Sequence, residues 1–262
     1  MIIKRIFFSL SLILIGCEDN NEENAVDKLL LEWNKFGSPG GSFAVIKDGN
    51  VLYKGGFGYG NLDYDYPNAP NTVFYLASVS KQFTAMSMAL LEEQGKISLD
   101  DDIRKYFPEI PDYGYKITIR NLIYHTSGLR DYLNLWILKG RSYADVFDEQ
   151  EIINLIARQK ALNFIPGDEY MYSNSGYFLM AVLVKRVTGM SLRDYTNQYF
   201  FQPLEMHNTH FHDNRNMIVK NRAESYVKND SELERVHSSF DLVGSGGLLS
   251  NIDDLILWDK NY

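Results

Sequence analysis

Residues 72–81 read TVFYLASVSK, in which a short β-branched and aromatic segment runs directly into Ser78-Val79-Ser80-Lys81. Apolar residues at helical spacing follow, up to a glycine at position 95: Phe83, Met86, Leu90 and Leu91. The pattern predicts a strand or loop that leads into a helix, with Ser78 at its start. A serine placed three residues before a lysine puts both side chains on one helix face, one turn apart.

The pair Ser78 and Lys81 suits nucleophilic catalysis. A serine hydroxyl is a weak nucleophile and needs a base beside it. Lys81 can be that base if burial or a neighbouring cation lowers its pKa from the usual value of about 10.4. The backbone N–H of Ser78, in the first helical turn, can stabilise a developing oxyanion. A second Ser-x-x-Lys at residues 225–228 lacks both the preceding segment and the helical run, so we interpret it as a coincidence.

The composition is that of a globular protein. The chain has 262 residues, of which 45% are hydrophobic and 23% charged, enough for a core in one or two domains. The net charge of −8 and the lack of a basic stripe in the sequence argue against a nucleic-acid partner.

The N-terminus has the pattern of a bacterial lipoprotein leader. Lys4 and Arg5 precede an apolar run over residues 6–15, which is too short for an ordinary transmembrane helix and leads into Gly16-Cys17. We expect residues 1–16 to be a lipoprotein signal peptide and Cys17, the single cysteine of the chain, to be lipidated. A plain secretory signal with an incidental thiol is the alternative. Lipidation predicts an extracytoplasmic, membrane-anchored bacterial protein that faces the periplasm or the cell surface.

Further along the chain, residues 17–38 are expected to form an acidic tether and an N-terminal helix, the latter over residues 25–36. Residues 42–47 and 51–59 flank Asp48-Gly49, which predicts a hairpin. Helical patterns follow at residues 144–158, 176–187 and 253–258, whereas residues 200–211 are loop-like. Strands that come first and helices that dominate the middle predict an α+β fold, a sheet with a separate helical region.

Several motifs together resemble the serine β-lactamase-related family, which includes class C β-lactamases, D-alanyl-D-alanine carboxypeptidases and esterase-like serine hydrolases. Besides residues 78–81, the matching stretches are HTSGL at 125–129, PGD at 166–168, YSNSGY at 172–177, PLEM at 203–206, GSGGLLS at 244–250 and DDL at 253–255. The resemblance implies a partial domain of this family over residues 39–262. It also implies an antiparallel sheet flanked by helices with a helical subdomain, and catalysis through a serine acyl-enzyme.

The family's second motif resembles Tyr172-Ser173-Asn174. The pattern Tyr-x-Asn occurs five times, at Tyr59, Tyr66, Tyr132, Tyr172 and Tyr195, but only Tyr172 follows a Pro-Gly loop and precedes a helical run. A nearby ammonium group favours the anionic form of a phenol, so Tyr172 can accept the Ser78 proton and later activate water. Asn174 is expected to bind substrate through its amide. A loop tyrosine and a helix N-cap are the structural alternative.

The histidines are expected to be structural. His125 invites comparison with a Ser-His-Asp triad, but the resemblance assigns its stretch to a turn at Gly128 and predicts a packed or capped histidine. His207, His210 and His212, beside Asp213, lack the spacing of a metal site. We therefore expect no metal ion and no cofactor.

These observations predict a lipid-anchored serine hydrolase, expected to be a monomer, that acts on an amide or ester of a small molecule or peptide. A β-lactam, a D-amino-acid peptide and a carboxylic ester remain open as substrates. The family's third motif, Lys/His-x-Gly, lies on a strand after the glycine-rich stretch, and the chain stops at Tyr262 before it. We therefore expect a C-terminal truncation with late strands missing. A non-catalytic lipoprotein that binds cell-wall peptide, or an inactive fragment, is the alternative.

Overall fold

The computed structural model describes residues 21–31, 34–230, 232–236 and 241–261. Its helices are α1 (Asn21–Leu30), α2 (Lys81–Glu93), α3 (Ile119–Ile123), α4 (Tyr132–Leu138), α5 (Glu149–Ala157), α6 (Asn174–Thr188), α7 (Leu192–Thr196) and α8 (Ile252–Asp259). Its strands are β1 (Gly41–Lys47), β2 (Asn50–Phe57), β3 (Tyr59–Asn61), β4 (Tyr66–Pro67), β5 (Phe74–Tyr75), β6 (His210–Phe211), β7 (Tyr226–Asn229), β8 (Glu232–Arg235) and β9 (Leu248–Ser250). This mixture of helices and antiparallel sheets confirms the predicted α+β class.

The predicted hairpin is confirmed as β1 and β2, which pair antiparallel with Lys47 opposite Asn50. The turn residues Asp48 and Gly49 have φ angles of +50° and +74°. Both lie in the left-handed region, which the tight turns of β-hairpins require and which an Asp-Gly pair tolerates well. The second strand ends earlier than predicted, because Gly58 turns the chain at a φ of +58°.

A three-stranded antiparallel sheet in the order β5-β9-β6 supports the segment that contains Ser78. The central strand β9 is buried along its whole length. Tyr75 of β5 and His210 of β6 both lie opposite Leu249 of β9. Because β5 ends at Tyr75, the sheet determines where the chain turns toward Ser78.

Helix α6 is the centre of the helical core. Its residues from Ser175 to Val184 are all buried, because α2, α3, α4 and α7 pack around it. The prediction of a helix at residues 176–187 is confirmed, and the observed helix begins slightly earlier, at Asn174. Gly189 ends it with a φ of +75°, as glycine commonly does at a helix C-terminus.

Other predicted bounds differ from the observed ones. Helix α5 begins at Glu149 rather than at residue 144, because the Asp148 side chain caps it by accepting the Glu151 N–H at 2.8 Å. Helix α4 was not predicted as a separate element. Residues 200–211 are not a simple loop, since they include the end of a π-helical turn (Asn197–Phe201) and strand β6.

At the N-terminus, α1 runs from Asn21 to Leu30, so the helix predicted at residues 25–36 begins and ends earlier than expected and includes part of the predicted tether. Residues 32–33 lie outside the described residues, as do the predicted signal peptide (residues 1–16) and Cys17. Within the ranges given above, no helix has the length and apolar character needed to cross a bilayer. The division of the chain at residue 39 stays a prediction.

Candidate functional site

The turn that carries Ser78 is clamped against strand β9. It is a single turn of 3-10 helix (Ala77–Ser80) that continues directly into α2. The Ser80 hydroxyl donates to the Ala77 carbonyl at 2.5 Å and accepts the Leu248 N–H at 3.0 Å. Leu76 N–H in turn donates to the Leu248 carbonyl at 2.9 Å. Hydrogen bonds of Leu76 and of the Ser80 side chain to Leu248 therefore fix the chain on both sides of Ser78.

The residue before Ser78 is strained. Ala77 has a φ of +45°, in the left-handed region that residues with a Cβ rarely adopt. Such strain persists only where the surrounding structure holds it, and it is often found at functional sites. Here the hydrogen bonds to Ser80 and Leu248 hold it, and the Ser78 side chain is left exposed to solvent.

The structure brings the sequence-predicted residues Ser78, Lys81 and Tyr172 together. Lys81 Nζ lies 3.1 Å from Ser78 Oγ, and Tyr172 Oη lies 2.8 Å from the same oxygen. Ser78 Oγ is thus within hydrogen-bond distance of two groups that can accept its proton. Tyr172 reaches it from the segment just before α6, far away in sequence.

Lys81 is buried, with 7% of its surface exposed. Besides Ser78 Oγ, its Nζ contacts Asn174 Oδ1 at 2.9 Å and the Ser245 carbonyl at 2.5 Å. These are three acceptors, which match the three N–H groups of an ammonium. The rings of Tyr172 and Tyr177, with centroids 4.8 Å and 5.4 Å from Nζ, add favourable cation–π contacts.

Burial lowers the pKa of Lys81 below its usual range, because water no longer solvates the charge. A hydrogen bond and charge interaction with Tyr172, and the carboxylate of Asp131, oppose that shift without cancelling it. A lysine with a lowered pKa spends more of its time as the neutral amine, which can accept a proton.

The heavy-atom geometry around Ser78 fits two proton arrangements. In one, Lys81 is an amine that accepts the Ser78 proton while the Tyr172 hydroxyl donates to Ser78 Oγ. In the other, Lys81 is an ammonium that donates to Ser78 Oγ while a Tyr172 phenolate accepts the serine proton. The two differ only in where protons sit, so the site can pass a proton among three side chains without moving them.

His125 packs behind Tyr172, in agreement with the prediction of a packed histidine. Its Nδ1 accepts the Ser173 N–H at 3.1 Å, and its ring centroid lies 4.5 Å from that of Tyr172 and 5.1 Å from that of Tyr177. Burial, and then the charge of Lys81, lower the pKa of His125. A neutral ring that supports Tyr172 is a role that the sequence did not reveal. The expected glycine turn is also present, since Gly128 has a φ of +70°.

Asn174 is the first residue of α6 and not its N-cap, which is Ser173. Its Oδ1 faces Lys81, and its Nδ2 donates to Asp131 Oδ2 at 2.9 Å. Asp131 was missed by the sequence analysis. Its position directly before the helix that begins at Tyr132 is a possible signal, because an acidic residue there is typical of an N-cap.

The glycine-rich loop at residues 244–247 closes the site from the other side. The Ser245 carbonyl accepts from Lys81, and the Ser245 hydroxyl lies 3.1 Å from Tyr132 Oη. A Cβ on Gly244 would lie 2.5 Å from the Tyr177 carbonyl oxygen, so only glycine allows the loop to approach α6 this closely. The sequence indicated the stretch as a motif but did not reveal that its backbone contacts Lys81.

His210, in strand β6, and His212, just after it, contact each other. His210 Nε2 and His212 Nδ1 are 3.3 Å apart, and Arg222 Nη1 lies 3.4 Å from His212 Nε2. Burial and the nearby arginines lower the pKa of His210 to about 4. Among the residues that the structure describes, no three or more His, Cys, Asp or Glu side chains are grouped so that they could hold a metal ion.

The lowered pKa of Lys81 predicts a pH-dependent stability. The unfolded chain binds a proton at Lys81 more tightly than the folded one, so stability rises with pH between the two pKa values. The free energy of unfolding of the wild-type protein minus that of Lys81→Met should therefore increase as the pH rises toward about 10.4, the pKa of an unfolded lysine. Urea unfolding at a series of pH values measures this difference.

Lys105 is the control for this measurement, because its pKa is shifted in the opposite direction to that of Lys81. Its hydrogen bonds to Asp101 and Tyr106 raise its pKa, so its contribution is complete below the pKa of an unfolded lysine. The corresponding difference for Lys105→Met should stay level over the same range. A level difference for Lys81→Met as well would contradict the effect of burial on Lys81.

Comparison with known proteins extends these findings. Penicillin-binding protein 4* of Bacillus subtilis (strain 168) is 32% identical over 235 residues, which are 84% of this chain and 51% of that protein. A D-aminopeptidase of Brucella anthropi is 30% identical over 232 residues, 86% of this chain and 42% of that protein. The solved structure of the octameric penicillin-binding protein homologue from Pyrococcus abyssi matches with a TM-score of 0.78 and 29% identity, over 90% of this chain and 54% of that one.

The chain thus spans about half the length of these relatives. The family profile named Beta-lactamase matches residues 21–261, which include all of the motifs from Ser78 onward. The resemblance inferred from those motifs is therefore confirmed, and the chain belongs to the Beta-lactamase family.

Proposed function

We propose that this protein is a serine hydrolase that forms an acyl-enzyme on an amide or ester. One observation carries the proposal: Ser78 Oγ lies within hydrogen-bond distance of both Lys81 Nζ and Tyr172 Oη. A nucleophile in contact with its base is the geometry that covalent catalysis needs. The D-aminopeptidase and penicillin-binding protein relatives support the same chemistry, although the chain spans only about half their length.

Acylation follows from the two proton arrangements described above. Ser78 Oγ attacks the carbonyl carbon of the substrate, and its proton passes to Lys81 or to Tyr172, which share the role of base. The Ser78 N–H stabilises the resulting oxyanion as half of an oxyanion hole. Collapse of the tetrahedral intermediate breaks the C–N or C–O bond, and the same base returns the proton to the leaving amine or alkoxide.

Deacylation reverses these roles with water as the nucleophile. The Lys81 amine or the Tyr172 phenolate that remains after protonation of the leaving group can accept a proton again, now from a water molecule at the acyl ester. The water oxygen bonds to the acyl carbon, the ester bond to Ser78 Oγ breaks, and the proton returns to Ser78. The product is a carboxylic acid. Tyr172, which is 43% exposed, is the base with the better access to water.

Asn174 orients the substrate in this proposal. One of the two hydrogens on its Nδ2 goes to Asp131, and its Oδ1 accepts from Lys81. An amide nitrogen has two hydrogens, so the second can donate to a carbonyl oxygen of the substrate. The substrate is a small molecule or a peptide, and the relatives favour a D-amino-acid peptide or a β-lactam over other amides and esters.

We expect a Ser78-dependent covalent adduct. A fluorophosphonate and, in a separate reaction, a penicillin should each add to the wild-type protein, and Ser78→Ala should abolish the adduct, as measured by intact mass. Ser225→Ala is the matched control, because it removes the serine of the second Ser-x-x-Lys, beside strand β7. An adduct that survives in Ser78→Ala, or folded wild-type protein that forms none, would overturn the proposal and favour the non-catalytic binding role.

We also expect the Tyr172 hydroxyl to be required. Tyr172→Phe should lower the rate of acylation by about 10²- to 10⁴-fold, the usual contribution of a general acid–base group. Tyr170→Phe is the control, since Tyr170 is 69% exposed and its ring also contacts His125. Stopped-flow or quench measurements of adduct formation give both rates. Equal rates for the two variants would assign the base role to Lys81 alone.

We further propose that Cys17 is lipidated and anchors the protein to the outside of a bacterial membrane, as a monomer. The support is the leader pattern at residues 1–16 and the single cysteine directly after it. Cys17→Ser should abolish incorporation of a labelled fatty acid and release the protein from the membrane fraction. A Cys17→Ser protein that remains in that fraction with its label would refute the anchor. The homologue from Pyrococcus abyssi is octameric, so sedimentation of the delipidated protein tests the monomer.

A further inference from the structure

Asp131 occupies a position between two helix N-termini that both point at its carboxylate. Its Oδ1 accepts the N–H groups of Leu133 and Asn134, at 2.9 Å and 3.3 Å, and so caps α4. Its Oδ2 accepts two N–H groups of Asn174, the backbone one at 2.6 Å and that of Nδ2 at 2.9 Å. A single carboxylate therefore joins the start of α4 to the start of α6.

This contact determines which way the Asn174 amide faces. A carboxylate can only accept hydrogen bonds and an ammonium can only donate them. With Nδ2 on Asp131 and Oδ1 on Lys81, each end of the amide meets the partner that it needs. The flipped amide would place its oxygen against the carboxylate and its NH₂ against the ammonium, which is unfavourable at both ends.

Asp131 also acts on Lys81 through its charge. Among the residues that the structure describes, the charged and titratable groups that contact Lys81 or interact with its charge include Tyr172, Tyr177, His125 and Asp131. Among them, the Asp131 carboxylate is a negative charge that opposes the lowering of the Lys81 pKa by burial. It reaches Lys81 through the intervening amide of Asn174, so it influences the base without touching Ser78.

We propose that Asp131 is a positioning residue of this site: its carboxylate holds the Asn174 amide with Nδ2 toward itself and Oδ1 toward Lys81. The inference rests on the proposed function for its kinetic consequence, whereas its structural and electrostatic parts concern Asn174 and Lys81 directly. Asp131 is not itself a group that meets the substrate.

The variant Asp131→Asn separates this role from simple capping. Asparagine caps a helix about as well as aspartate, so its oxygen can keep the bonds to α4. Its NH₂ group then faces the two donors of Asn174, which favours the flipped Asn174 amide and removes an acceptor from Lys81. We expect the rate of acylation by a fluorophosphonate to fall by about 10- to 100-fold, as small misplacements in a catalytic site do.

The decisive measurement is the rate of acylation as a function of pH. In the wild-type protein the rate should rise with pH as Lys81 loses its proton. Without the carboxylate, the pKa of Lys81 falls further, so in Asp131→Asn the rise should be displaced to lower pH. A merely structural defect would lower the rate equally at every pH. An unchanged rate, or a lower rate with an unshifted profile, would overturn the inference.

Asp148→Asn is the matched control. Asp148 likewise caps a helix, but its Oδ1 accepts from Glu151 of α5 itself and not from Asn174 or another residue of the site. This substitution should leave both the rate and the pH profile of acylation unchanged. A shift of the same size in Asp148→Asn would show that the effect is not specific to the site.

A second measurement does not depend on activity. The free energy of unfolding is compared with and without Lys81→Met, first in the wild-type background and then in the Asp131→Asn background. The difference between the two proteins of each pair should rise with pH, and in the Asp131→Asn background the rise should begin at a lower pH. Wild-type protein without a Ser78 adduct would refute the proposed function, and the unfolding experiment would still decide the role of Asp131. Coincident curves for the two pairs would refute the electrostatic part of the inference.

Discussion

The buried ammonium of Lys81 is the constraint on which the rest of the site depends. A charge removed from water is strongly unfavourable unless hydrogen-bond partners replace the solvent. Three partners do so here, and they come from three parts of the chain: Ser78 before α2, Asn174 at the start of α6 and Ser245 in the glycine-rich loop. Since one amine satisfies all three, a shift of any of these segments would leave a buried polar group unpaired.

The contact between the glycine-rich loop and Lys81 also requires that the loop pack closely against its neighbours. The carbonyl of Ser245 can reach Lys81 only if the loop lies against α6, where a side chain at Gly244 would collide with the Tyr177 carbonyl. The strand that follows then binds Ser80 through the Leu248 N–H. The same chain segment therefore contacts Lys81 and holds the turn that carries Ser78.

The side chains of Ser78, Lys81 and Tyr172 differ in how deeply they are buried. Lys81 is 7% exposed and Tyr172 is 43% exposed, with Ser78 Oγ between them at the surface. Electrostatic interactions are stronger on the buried side because less water screens them. In the proposed reaction, substrate and water approach from the exposed side, where the His125 ring packs against that of Tyr172. In the proposed function, one proton network therefore serves both attack by serine and attack by water.

Local features of the fold and site could be predicted from the sequence alone, because spacing and turn chemistry act over a few residues. These include the Asp48-Gly49 hairpin, the central helix and the pairing of Ser78 with Lys81, one helical turn apart. Family motifs also singled out Tyr172 among five Tyr-x-Asn patterns. The orientation of the Asn174 amide, the part played by Asp131 and the backbone carbonyl that completes the lysine shell were decided by tertiary structure. A carbonyl has no signature in sequence, and a carboxylate that caps a helix reveals its second set of partners only once distant segments have packed together.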